Sequence, residues 1–249
     1  NNFNLLLEFD NVNLNQIIEL RYDTTGDITV DIVSDSKMNL SIINDFVSEP
    51  GVVGDVILSN SDITVTDVVN KDEADIINDY NNESGIATLT SVSDVLANVN
   101  TLSSTAGISI ATSYLQVTDV TTLSDAQDLD GYTTGEVTLD VVTDRFENVK
   151  AIFSLNPSVE SSDGVNLTSA AITITDPINL SQANEVNSFT TGLVTLISVK
   201  DTHQNLISID AINNSELTMA NASVEVIDNV NLSQVDQLRA DTSGDITIN

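Results

Sequence analysis

Nine aspartates recur beside apolar, β-branched runs: Asp10, Asp35, Asp67, Asp94, Asp119, Asp144, Asp176, Asp201 and Asp228. The steps between them are 25, 32, 27, 25, 25, 32, 25 and 27 residues. Hard cations are held by several oxygen ligands at once. If successive units stack, Asp67, Asp94, Asp119, Asp144, Asp176 and Asp201 form a row along one sheet edge, a candidate calcium ladder. The simpler expectation is that each Asp caps a helix or fixes a strand-to-helix turn, because one carboxylate per unit is what a cap requires. Diffuse cation association then follows from the net charge of -31 alone. Four of these aspartates are followed four residues later by an Asn, namely Asn39, Asn98, Asn148 and Asn205. These amides are expected to form a structural ladder that bonds neighbouring turns.

Other reactive constellations are absent from the sequence. The single histidine, His203, lies in Asp-Thr-His-Gln-Asn and reads as an exposed turn residue. No G-x-S-x-G and no phosphate loop of the G-x-x-x-x-G-K type occurs. With no Cys, disulfides and thiolate metal sites are excluded. A two-carboxylate glycosidase fits the residue types, but the chain has no Trp and 4% aromatics, so stacking platforms for sugars are scarce. Thr64, Thr66, Thr173, Thr175 and Thr195 fall on strand positions facing away from the helices, where Thr solvates a sheet face. Val33, Val92, Val142 and Val199 interrupt that pattern and are expected to pack against another layer or another chain. The chain is read as a non-enzyme, with no cofactor unless calcium occupies the Asp row.

The elements that position these residues come from an internal repeat. Residues 10–30 and 228–248 are identical at 14 of 21 positions. Two kinds of unit alternate. After Asp10, Asp67, Asp119, Asp176 and Asp228 comes a helical segment closed by Gly26, Gly85, Gly135, Gly192 or Gly244; after the other aspartates comes the Asn. Runs such as Ile172-Thr-Ile-Thr and Ile63-Thr-Val-Thr alternate with period two, as strands do. Leu180, Ala183 and Val186, like Leu123, Ala126 and Leu129 or Leu232, Val235 and Leu238, follow at helical spacing. Each glycine suits a left-handed position after a helix. The fold class is therefore α/β: a tandem-repeat parallel β/α solenoid with one strand and one short helix per unit of 25–32 residues. It is expected to run as one continuous solenoid over residues 1–249, with blocks 10–118 and 119–227 and a third starting at 228. The two long steps hold Pro-Gly-Ser-rich inserts, Ser48–Asn60 and Pro157–Gly164. These could instead divide the chain into a string of small βαβα domains.

Ile172-Thr-Ile-Thr-Asp-Pro-Ile-Asn-Leu-Ser-Gln-Ala183, Leu115-Gln-Val-Thr-Asp-Val-Thr-Thr-Leu-Ser-Asp-Ala126 and Val33-Ser-Asp-Ser-Lys-Met-Asn-Leu40 carry a resemblance. The chain resembles very large repetitive secreted or surface proteins of aquatic bacteria, cyanobacteria above all. That resemblance implies a surface-layer or adhesin-like role; the G-G-x-G-x-D nonapeptides of the calcium-binding type are missing. The expected function is a structural protein, extracellular or at the cell surface, that self-assembles with its own copies into a surface layer, sheath or filament. The alternative is an adhesin stalk or phage-fibre segment presenting a binding tip. With 38 acidic residues against 7 basic ones, general binding to nucleic acid backbones is excluded. No apolar stretch reaches the length of a membrane span, so no membrane insertion is expected. No signal peptide is visible. Both ends fall within a unit, and the chain is expected to be a section of a longer array or to have its ends covered by neighbouring copies.

Overall fold

The computed structural model describes residues 3–46, 54–82, 84–155, 164–211 and 217–248. Residues 47–53 and 156–163, part of the first insert and nearly all of the second, lie outside them, as does the side chain of Asp10. The described residues form an α/β structure of parallel strands joined by short helices, in two compact units. The first comprises Asn1–Gln116 with Tyr132–Gly135, the second Val117–Gly131 with Glu136–Asn249.

The first unit holds β1 (Leu5–Val12), α1 (Leu14–Asp23), β2 (Ile28–Asp35), α2 (Lys37–Asp45), β3 (Val56–Ile57), β4 (Asp62–Val69), α3 (Lys71–Tyr80), β5 (Ala87–Asp94), α4 (Leu96–Leu102) and β6 (Ile108–Ser109). Strands β1, β2, β4 and β5 pair in that order, all parallel. The short strands β3 and β6 pair with the first residues of β2 and β5. The chain leaves this unit within β7 (Tyr114–Thr121) and continues through α5 (Leu123–Tyr132).

The second unit repeats the plan: β8 (Glu136–Asp144), α6 (Phe146–Phe153), β9 (Gly164–Asn166), β10 (Ala171–Ile178), α7 (Leu180–Asn187), β11 (Val194–Asp201), α8 (His203–Ala211), β12 (Leu217–Thr218), β13 (Ser223–Val226), α9 (Leu232–Asp241) and β14 (Ile246–Ile248). Its parallel order is β8, β10, β11, β13, β14, with β9 beside β8 and β12 beside β11. Within each unit the sheet therefore runs unbroken past the intervals at which small βαβα domains would end.

Each helix is too short to hold itself in water and buries one stripe. Leu40 and Ile43 of α2, Val149 and Ile152 of α6, and Ala183 and Val186 of α7 are fully buried. Leu232, expected in such a stripe, is 77% exposed. The two strand types bury residues at different spacings. In β2, Ile28, Val30 and Val33 are buried; in β4, Ile63, Val65 and Val69 are. The extra residue is a bulge: Val65 pairs with Leu89 but Val68 with Ser91, and Ile174 with Leu196 but Pro177 with Ser198. A bulge re-aims side chains and tolerates a proline. The shorter spacing turns Val33, Val92, Val142 and Val199 into the core of their own units, each at 0% exposure. They do not face another layer or chain. Thr64 pairs with Thr88 and Thr173 with Thr195 on the opposite face.

Candidate functional site

The recurrent aspartates occupy two positions. Asp35, Asp94, Asp144 and Asp201 end their strands; Asp67, Asp119 and Asp176 lie inside β4, β7 and β10, and for Asp67 and Asp176 the position is the bulge. Strand register does not align the two kinds in one row: Asp35 pairs with Val65, Asp144 with Ile174 and Asp201 with Val226.

Their carboxylates accept hydrogen bonds from the start of the preceding helix. The N–H of Leu14 donates to Asp35 at 2.9 Å, that of Lys71 to Asp94 at 2.8 Å, that of Leu123 to Asp144 at 2.9 Å and that of Leu180 to Asp201 at 3.0 Å. The others do the same: Lys37 donates to Asp67, Phe146 to Asp176, and His203 to Asp228, which lies just past β13, each at 2.8 Å. These are first-residue N–H groups, which no helix can satisfy internally. Negative charge there also meets the positive end of the helix dipole. The Asp thus caps a helix, but the one before it in the chain. Where its own helix has a side-chain cap, that cap comes from another residue; the N-cap residues of α4 and α6, Val95 and Arg145, make none. Asn13, Asn70, Asn179 and Asn231 form capping boxes with Gln16, Glu73, Gln182 and Gln234, and Ser36 caps α2. The N-x-x-Q/E spacing that announces such boxes is present in the sequence.

The strand-ending aspartates are further saturated. The second oxygen of Asp94 accepts the Val95 N–H at 2.8 Å and the Asn98 amide at 2.9 Å. Asp35 does so with Ser36 and Asn39, Asp144 with Arg145 and Asn148, and Asp201 with Thr202 and Asn205, all at 2.8 Å. The Asn residues therefore bond within their own unit, four residues apart along the chain, and the Asp makes the link between units. Burial pushes the carboxyls of Asp94 and Asp201 up, but the N–H and amide donors together outweigh it and hold both below the usual carboxylate value. A carboxylate ringed by N–H donors has little left to offer a cation. Among the described residues no group of three or more His, Asp or Glu is placed to hold a metal ion.

The opposite edge carries a second stitch, between helix end and preceding strand. Thr133, Thr190 and Thr242 donate through Oγ1 to the carbonyls of Ser113, Ala170 and Ala222, each at 2.7 Å. The N–H groups of Gly135, Gly192 and Gly244 return to the same hydroxyls at 2.9, 2.8 and 3.0 Å. The expected left-handed conformation is not why glycine stands there, since among the described residues the positive-φ glycines are Gly54, Gly107 and Gly164. A Cβ on Gly192 would lie 2.3 Å from the Ala170 carbonyl oxygen, and one on Gly85 1.9 Å from that of Ser61. Close backbone approach demands the glycine.

His203 is not on a surface turn. It is the first residue of α8 and only 6% exposed, with Nδ1 3.3 Å from the Gln234 amide nitrogen and Nε2 without a partner. The place equivalent to His203 in α6 is held by Phe146, 3% exposed. The same place holds Lys37 in α2 and Leu96 in α4, both half-buried, so the repeat alone does not mark the position as core. No described helix is long and apolar enough to cross a membrane. No family model, curated protein or solved structure matches the chain.

Proposed function

We propose that the chain is a non-catalytic structural module of an extracellular or cell-surface assembly, one continuous β/α solenoid whose copies build a layer, sheath or filament. The observation that carries this reading is the direction of the caps. At seven of the described helix starts the first N–H is held by an Asp of the following repeat, so each of these starts is complete only when that repeat supplies its carboxylate. Such units propagate through nearest-neighbour contacts. The resemblance to repetitive surface proteins agrees with it.

Electron microscopy of the purified protein, with and without EDTA, tests the proposal. Ordered filaments or sheets in both conditions are expected. Isolated short particles in both would overturn self-assembly in favour of an adhesin stalk or fibre segment. Order lost only in EDTA would place cations in the joints, against carboxylates saturated by N–H donors.

A further inference from the structure

In two helix pairs the first residue of one helix touches the third residue of the next. In the first unit Lys37 of α2 meets Glu73 of α3. One Glu73 oxygen accepts the Asn70 N–H of the α3 capping box at 3.1 Å, and the other accepts the Lys37 ammonium at 2.8 Å. In the second unit His203 of α8 meets Gln234 of α9. The Gln234 oxygen accepts the Asn231 N–H at 2.9 Å and so closes the α9 capping box. Its NH₂ is left to face Nδ1 of His203 at 3.3 Å. An amide nitrogen donates and does not accept, so Nδ1 is the acceptor and the ring is neutral, with its proton on Nε2. That nitrogen is buried without a partner. Protonation would set a donor against a donor, in a residue 6% exposed and at the positive end of the α8 dipole. Turning the amide to relieve the clash would take its oxygen out of the α9 cap. Lys37 has a carboxylate to receive its charge; an imidazolium at His203 has only an amide.

The charged groups on the elements around α8 are engaged elsewhere or stand off from the ring. Asp228, just past β13, accepts the His203 backbone N–H at 2.8 Å. Asp201 of β11 accepts the N–H groups of Leu180 and Thr202 and the Asn205 amide. Glu185 of α7 pairs with Lys150, and Lys200 of β11 with Glu225 of β13, each at 2.8 Å. On α9, Asp236 and Arg239 are exposed and Asp241 is half-buried; Asp210 lies two turns along α8 itself. Among the described residues none of these carboxylates forms an ion pair with the imidazole. We propose that His203 is an acid-sensitive latch between successive repeats: the neutral ring joins α8 to the cap of α9, and taking up a proton breaks that joint. The chain has one His and no Cys, so between the carboxylate range and that of the α-amino group this ring alone changes its charge. An imidazole in the unfolded chain takes up a proton near pH 6.5, while the folded site fits the neutral form. The stabilisation is therefore complete above that pH and is lost as pH falls below it. The latch belongs to the fold and does not depend on the self-assembly reading.

The test is a series of thermal melts of the full chain from pH 7.5 to pH 5.5 at constant ionic strength. His203→Phe, the residue that α6 carries at this place, supplies the background from all other groups. Against that background the wild-type Tm is expected to fall by about 3–6 °C at pH 5.5. Gln234→Glu puts a carboxylate oxygen where the NH₂ stood, as Glu73 presents one to Lys37. It is expected to reverse the sign, so that acid raises Tm against the same background. A wild type that follows His203→Phe across the range overturns the latch. So does a Gln234→Glu variant that loses stability in acid like the wild type, because the amide donor is then not what rejects the proton. Should His203→Phe fail to fold, NMR of the wild type decides. The signals of the single imidazole and of the Asn231 and Gln234 amides should change together with pH; an imidazole that takes up its proton while those amides stay unmoved overturns the latch.

Discussion

Asp201→Asn keeps the shape of the side chain and removes its charge and one acceptor. Asp201 is 7% exposed. One of its oxygens faces the Leu180 N–H at 3.0 Å, and the other faces Thr202 N–H and the Asn205 amide, both at 2.8 Å. Whichever way the new amide turns, its NH₂ meets at least one buried donor. Hydrogen bonds to charged groups are worth about 1.5–3 kcal/mol, so a loss of about 2–3 kcal/mol is expected. For a chain of this length each kcal/mol moves Tm by about 2–4 °C, which gives a fall of about 4–12 °C. The assay is a thermal melt at pH 7, with a urea titration to check that the slope is unchanged. The pH dependence supplies a second reading. The carboxyl of Asp201 is held below its ordinary value. Its stabilisation is therefore fully present above the unfolded value of about 3.9 and is lost as pH falls through the depressed one. The gap between wild type and variant should close in that acid range. A variant that melts with the wild type at pH 7 would refute the capping role, as would a gap independent of pH.

Gly192→Ala forces a methyl against the Ala170 carbonyl oxygen at 2.3 Å and should cost at least about 2 kcal/mol in the same melts. Gly131→Ala is the internal control: nothing lies within 4 Å of its Cβ, and an α5 alanine should add about 0.5–1 kcal/mol. His203→Phe copies Phe146 and removes an unpartnered buried Nε2, so Tm should hold or rise; a fall would show that the Gln234 contact matters more than the orphan nitrogen. Adding calcium, or EDTA, should shift Tm no more than sodium chloride of equal ionic strength, read by calorimetry.

The parallel α/β plan was legible because Ile172-Thr-Ile-Thr and its counterparts alternate strictly and their spacing repeats over the chain. The capping role of the aspartates was legible as chemistry, but its direction was not. Sequence places Asp201 next to α8, whereas its carboxylate reaches the start of α7. That choice depends on strand register, which is a long-range quantity. The bulge was hidden for the same reason: one extra residue between Val65 and Val69 moves Asp67 off the strand end, so the strand runs on to Val69. Treating each strand as an unbroken alternation misplaced Val33, Val92, Val142 and Val199. The glycines were found by pattern and explained by the wrong mechanism, since close approach to a neighbouring carbonyl leaves no local signature. His203 was misjudged because the repeat is ambiguous at its position: Phe146 is buried there, whereas Lys37 and Leu96 are only half-buried.

Amide hydrogen exchange at the first residue of each helix tests the central claim most directly. Such N–H groups are normally bonded to water and exchange quickly. If each unit caps the helix before it, the amides of Leu14, Lys37, Lys71, Leu123, Phe146, Leu180 and His203 should be protected to a degree set by local opening. Leu232 starts α9 and is 77% exposed, and its amide should exchange fast. Seven slow amides against one fast one is the predicted result. Seven that exchange as fast as Leu232 would contradict the account.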